Sequence, residues 1–361
     1  MNVRRLAGVI AVCLLAGLTS AETTEEHYKN IKVLKGHPAD DLVPTMQFIS
    51  NALGVDCEFC HVERAPEKDD KKEKQTARKM ITMTMAINKD NFEGHREVTC
   101  VSCHRGSTRP QAVPALDAPP SEPEAKSPPA AAASADPILA RYLEAYGAPE
   151  SYAKVFSRSM KGKITGFGPD PIPVEVLSKA PDKRMTIVTG PRGESVTAFD
   201  GENGWLSGGG RGAREMGASE RAAARLDALL QFPRDLKPLF KEFKVLPNET
   251  IDGHDTTHVI ARNEGQPPVE LWFDAQSGLL VRQLRYAETI LGRNPTRVDY
   301  ADFRTVEGVK TPFKWAVTRP GGSFTIQIDE AQANPTIEDS RFAKPAPPPS
   351  EAPPPSEGKK G

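Results

Sequence analysis

An α+β protein in two parts is predicted: a small all-α segment holding four cysteines, followed by a curved antiparallel β-sheet wrapped on helices. Three observations predict it. Four of the five cysteines fall between positions 57 and 103. A Pro- and Ala-rich stretch beginning at Pro110, the linker proper being 111–135, has no apolar period and too many prolines to pack. Beyond it, short runs of alternating apolar and polar residues are separated by Asp-Gly, Asn-Gly and Gly-Gly turn signals.

The chain has 361 residues, a length that suggests about two domains. Its 47 basic and 48 acidic side chains nearly cancel, so the charge balance points neither to nucleic acid nor to an anionic membrane. Aromatics at 6% and 33 prolines are lean for one large core and fit a chain with linkers and tails.

Residues 1–21 read as a secretory signal: Arg4 and Arg5, an apolar stretch from Leu6 to Leu18, then Thr19-Ser20-Ala21 for cleavage. The expected location is therefore the periplasm. Cys13 lies in the apolar stretch and leaves with it. No other stretch is apolar and long enough to cross a membrane. Residues 22–110 form the helical, cysteine-bearing domain. Within it Leu42–Leu53 is a helix, with Asp40 or Asp41 as N-cap, Pro44 in the first turn and Gly54 at the C-cap. The run ERAPEKDDKKEK reads as a solvated loop entering a second helix, Gln75–Asn88, with Ala77, Met80, Thr84 and Ile87 on one stripe.

The domain at 136–345 opens with an amphipathic helix, Pro137–Tyr146. Nine strand-like runs follow, from VEVLSK to SFTIQIDEA, interrupted by a helical patch at about Ser219 to Phe243. Gly208-Gly209-Gly210 has no following Lys-Ser/Thr and reads as a hairpin tip rather than a phosphate loop. Residues 346–361 are a Pro-rich tail with the composition of a disordered segment.

The chemistry sits in Cys57-Glu58-Phe59-Cys60-His61 and Cys100-Val101-Ser102-Cys103-His104. Both read C-x-x-C-H. Thiols three residues apart can add to the two vinyl groups on one porphyrin edge, and the next residue, His, then reaches the iron from below. A disulfide is open to any exported C-x-x-C, and a zinc ribbon is the other bland reading, but neither explains a His after both pairs. Two covalently bound haem c groups are expected, held by Cys57, Cys60 and His61 and by Cys100, Cys103 and His104.

The segments LVPTMQFISNALGVDCEFCH and KQTARKMITMTMAINKDN…VTCVSCHRGSTRP resemble the cytochrome c subunit of bacterial photosynthetic reaction centres, over residues 30–110. That subunit carries four haems, so this chain looks like a half-length relative, and a role in photosynthesis does not follow. The resemblance implies a methionine from the preceding helix as sixth ligand. Met46, eleven residues before Cys57, matches for the first iron. For the second, Met80 matches within ARKM, with Met83 one turn further as the alternative. Met85 points elsewhere. His95 reads first as an exposed loop histidine and second as a substitute ligand.

Thioether ligation favours Fe(II), and two six-coordinate irons leave no open site for substrate. The expected role is single-electron transfer between redox protein partners, membrane-bound complexes among them, without catalysis. A dihaem peroxidase, which needs one open iron, is the alternative. In the second domain, FDGENGW, LWFDAQSGLLVRQ and TPFKWAVTRPGG are similar to the lipoprotein-carrier superfamily of half-barrels, which hold acyl chains. The resemblance implies a hydrophobic ligand. Phe199, Trp205, Trp272, Phe273, Phe313 and Trp315 either line its cavity or fill the core. A redox-linked binding protein is the third reading.

Overall fold

Local turn and cap residues set several helix ends of the first part. A computed structural model describes residues 22–110, 134–191, 193–208 and 211–344. The signal at 1–21 with Cys13, nearly all of the linker, two of the three glycines at 208–210 and the tail at 346–361 therefore lie outside the described residues. Helix α1, Thr24–His27, starts at Thr23, whose backbone N–H donates to Glu26 Oε2 at 2.8 Å. Helix α2, Leu42–Leu53, ends at Gly54 in the left-handed region, φ 68°, as its sequence position predicts. Glycine is required there twice over, because a Cβ would stand 2.3 Å from Gly106 O. Helix α3, Lys72–Asn91, is longer than the Gln75–Asn88 expected, since Lys72, Glu73 and Lys74 carry no apolar period but are good helix formers. Helix α4, Cys100–His104, is the second cysteine motif itself.

Helices α5, Asp136–Tyr146, and α6, Pro149–Tyr152, lead into the sheet. Six strands come first: β1 Ser157–Thr165, β2 Ile172–Lys179, β3 Lys183–Gly190, β4 Gly193–Phe199, β5 Gly204–Gly208 and β6 Arg211–Glu215. Helix α7, Ala218–Leu229, follows. Seven more strands complete the sheet: β7 Glu242–Ile251, β8 His254–Arg262, β9 Val269–Asp274, β10 Leu280–Glu288, β11 Arg293–Val306, β12 Val309–Arg319 and β13 Gly322–Ala333. All 13 belong to one curved, unclosed antiparallel sheet in the order β6-β5-β4-β3-β2-β1-β13-β12-β11-β10-β9-β8-β7. Two meanders thus meet at the β1–β13 pair, leaving β6 and β7 as edges. The chain passes from one edge to the other through α7, which packs against β3, β4 and β10. The α+β architecture with a half-barrel-like sheet is as predicted.

Turn chemistry accounts for most strand boundaries. Asp252 and Gly253, φ 51° and 84°, form a two-residue turn between paired Ile251 and His254. Glu307 and Gly308 do the same between β11 and β12 without an Asn or Asp to announce it. The helical patch expected from Ser219 to Phe243 is corrected: α7 stops at Leu229, Pro233 and Pro238 bar its continuation, and Glu242–Ile251 is the edge strand β7.

One core lies between α5 and strands β8 to β10, where Tyr142, 1% exposed, meets Phe273 edge to face at 5.5 Å. A second joins β1, β2, β12 and β13 around Met160, Val176, Trp315 and Ile328. All six aromatics singled out in the sequence are buried. Phe199 and Trp315 line a cavity described below; Trp272 instead stacks on His258, centroids 4.1 Å apart.

A Pro-rich linker joins the two parts, yet contacts cross between them. The β10–β11 hairpin tip crosses. Leu291, 4% exposed, belongs to the same cluster as Leu34, Leu42, Phe48, Ile49 and Ile81 of the helical segment. Ile290 N–H donates to Thr45 Oγ1 at 3.1 Å, Asn294 Nδ2 to Pro44 O at 3.1 Å, and Arg96 pairs with Glu288.

Candidate functional site

Each cysteine motif is one helical turn, which sets positions i, i+3 and i+4 on a common side. In the first, Cys57–Phe59 form a 3-10 turn capped by Asp56, whose Oδ1 accepts from Phe59 N–H at 3.0 Å, and His61 N–H donates to Cys57 O at 3.0 Å. In the second, α4 is capped by Thr99, whose N–H donates to Ser102 Oγ at 3.0 Å. Arg105 and Gly106, φ 48° and 84°, end it sharply, and Gly106 N–H donates to Ala52 O at 2.8 Å, tying the second motif to α2. All four thiols are free. Burial pushes the Cys60 and Cys100 thiols above their ordinary pKa, with Glu73 adding to the effect at Cys60.

The histidines are oriented alike. His61 Nδ1 lies 3.0 Å from Pro66 O, and His104 Nδ1 lies 2.9 Å from Ser107 O. A carbonyl only accepts, so each Nδ1 carries the proton and each Nε2 lone pair is left for a metal.

A cavity of about 490 Å³ lies between α2, α3 and α4. Ile49 and Leu53 of α2, Ala77, Met80, Met83 and Ile87 of α3, and Cys100, Cys103 and His104 form its walls; Phe59 and Cys60 of the first motif close another side. The stripe expected on α3 therefore faces this cavity at Ala77, Met80, Thr84 and Ile87, while Lys74, Ile81, Thr84 and Asn88 are the buried positions. Met85 looks into a separate groove with Leu34 and Ile290. Met46 is half-buried and packs against the Leu34–Phe48–Ile81 cluster, outside the lining of the Met80 cavity. His95 is exposed.

The residues present fit haem. The cavity volume falls within the roughly 300–1,000 Å³ of cofactor sites. Among the described residues, nine large hydrophobic side chains stand exposed, and seven belong to the helical segment: Val43, Phe59, Met80, Met83, Met85, Phe92 and Val101. Three of them, Phe59, Met80 and Met83, line the cavity, and an apolar disc seated there would remove their surface from water. Among the described residues no three His, Cys, Asp or Glu side chains converge as a zinc site requires.

Sequence reasoning missed the group behind the first motif. The charged run is an ordered bracket. Asp69 accepts from Arg78 at 3.0 Å and from Asn30 at 2.9 Å and pairs with Lys74 at 3.1 Å; these contacts, Arg78 first, hold its carboxyl well below the usual range. Lys74, only 8% exposed, donates to Lys68 O at 2.7 Å and to Pro66 O at 2.8 Å, the same carbonyl that His61 uses. Nothing in the spacing of EKDDKKEK singles out Lys74, because two of its three partners are main-chain carbonyls.

Residues 9–160 match the family model of the photosynthetic reaction centre cytochrome C subunit. The reaction center cytochrome c subunit of Thermochromatium tepidum is 30% identical over 120 residues, 31% of this chain and 30% of that protein. The corresponding subunit of Roseobacter denitrificans is 34% identical over 106 residues, 26% of this chain and 28% of that one. The chain thus spans about three-tenths of the length of these curated relatives. Among solved structures, a LolA superfamily protein from Nitrosomonas europaea aligns over 59% of this chain and 99% of its own, at 19% identity and TM-score 0.40. A DUF1329 family protein from Desulfovibrio piger aligns over 58% and 96%, at 12% identity and TM-score 0.41. The helical segment resembles the cytochrome c subunit of reaction centres. Among the described residues no helix is long and apolar enough to cross a membrane.

Proposed function

We propose that the chain is a periplasmic dihaem c-type cytochrome, exported through its signal at 1–21, that passes single electrons between redox proteins, membrane-bound complexes among them. The observation that carries this reading is that both motifs border one methionine-walled cavity, with both imidazoles anchored through Nδ1 on a main-chain carbonyl. Haem, when attached, supplies a one-electron Fe(II)/Fe(III) couple. The chain's part is to fix it: Cys57, Cys60, Cys100 and Cys103 as thioethers, His61 and His104 as proximal ligands, Met46 as sixth ligand to the first iron and Met80, or Met83 beside it, to the second. The sheet domain serves as a module for an apolar ligand, a reading supported by a cavity of about 720 Å³ beneath α7.

The test is expression in a host with cytochrome c maturation, followed by a haem-to-protein ratio and exposure of the reduced protein to carbon monoxide. Two haems per chain and no carbon monoxide binding are expected. A ratio of zero overturns the reading; binding at one haem in the wild type turns it toward the peroxidase.

A further inference from the structure

The cavity beneath α7 contains a cation with no directly paired counter-ion among the described residues. Strands β3, β4, β11, β12 and β13 supply its walls with Val188, Val298, Trp315, Phe324 and Ile326 among them, and its volume of about 720 Å³ suits a small organic ligand. Arg184 of β3 projects into this apolar surrounding, its guanidinium 5.7 Å from the centre of the Trp315 ring. Among the described residues it makes neither a hydrogen bond nor an ion pair, and its Nε is buried without a partner. Two more groups of the same wall are buried and unpartnered, the Trp315 Nε1–H and the Thr186 hydroxyl. Desolvation pulls the Arg184 pKa down, opposed by the charge of Asp227.

The carboxylates that line the cavity are already engaged. Asp227 pairs with Arg285 at 2.8 Å and accepts from Gln283 at 3.1 Å, and Glu220 takes both guanidinium nitrogens of Arg214 at 2.7 and 2.8 Å. A guanidinium fork in an apolar pocket calls for a planar oxyanion, and leaving its Nε and two neighbouring polar groups unpaired costs free energy in the unliganded protein. We propose that this cavity binds an aliphatic amphiphile whose carboxylate pairs with Arg184, within reach of Trp315 Nε1–H and Thr186, while its chain lies on the apolar strands. The proposal rests on the reading of the sheet as an apolar-ligand module and adds the sign of the head group and the residue that selects it.

Calorimetric titration of the full chain with dodecanoate and with 1-dodecanol tests it. One equivalent of dodecanoate is expected to bind at least tenfold more tightly than the alcohol. Arg184→Met is expected to abolish that preference while the alcohol's affinity is kept, and Trp315→Phe, which keeps an aromatic wall, to weaken dodecanoate alone. Equal affinity for acid and alcohol in the wild type, or an unchanged preference in Arg184→Met, overturns the anionic head and leaves the apolar-ligand reading standing. Failure of both compounds to bind overturns both. The wild-type comparison carries the test if Arg184→Met does not fold.

Discussion

The two cysteine turns share their backbone logic and differ in what stands behind the histidine. His104 bonds to Ser107 O on an exposed turn, whereas His61 bonds to Pro66 O, a carbonyl that also receives the buried Lys74 ammonium. An acceptor that serves two donors gives less to each, so His61, as the proposed ligand, would carry less anionic character, with the Lys74–Asp69 pair behind it. Were haem bound there, the weaker hydrogen bond would favour Fe(II). Identical motifs are thereby given unequal settings, through a residue outside either motif.

Removing one motif is the largest test of this comparison. The double change Cys100→Ala with Cys103→Ala should take the haem count from two to one and leave the haem of the other motif spectroscopically intact. Leu291→Ala comes next. It vacates the cluster under both α2 and α3, so it should cost about 2–5 kcal/mol in denaturant unfolding without separating the two haems' potentials. Met80→Ala should open only the second iron, with new carbon monoxide binding and a lower potential; if Met83→Ala does this and Met80→Ala does not, the ligand is one turn along. Met46→Ala should do the same at the first iron alone.

Lys74→Met acts on the asymmetry itself. A redox titration should show the first haem's potential lowered by about 59 mV, a roughly tenfold change in its oxidation equilibrium, with the second unmoved; Lys74→Arg should restore most of it. An equal shift at both haems would mean that Lys74 acts only through overall charge. The smallest effect concerns pH. Asp69 has a depressed pKa, so its contribution is fully present above the unfolded value of about 3.9 and is lost as pH falls below that toward the folded value. Hydrogen exchange during acidification should therefore loosen residues 66–74 before the turn at 105–107.

What was readable beforehand divides by range. Both motifs, the Gly54 cap and most strand runs were legible because their signals are local: a covalent spacing, a left-handed C-cap, an alternation bounded by turns. Strand β1 was not, since Ser157–Thr165 alternates weakly and owes its place to pairing with β13. Strand β7 was hidden behind the helical composition that precedes it. Leu291 and Arg184 were invisible because each is an ordinary residue type made special by a partner, or the want of one, far away in sequence; Lys74 was invisible because main-chain carbonyls, which carry no sequence signature, are two of its partners.

The β1–β13 pair has a consequence for the order in which the molecule is assembled. The middle of the sheet joins its first strand to its last, Thr165 opposite Thr325, so β1 keeps an open edge and the two meanders stay unjoined until nearly all of the chain has been made. The helical segment is finished much earlier, yet one of its core residues, Leu291, arrives with the hairpin before β11. During synthesis the segment that bears the cysteines therefore waits with part of its interior unfilled.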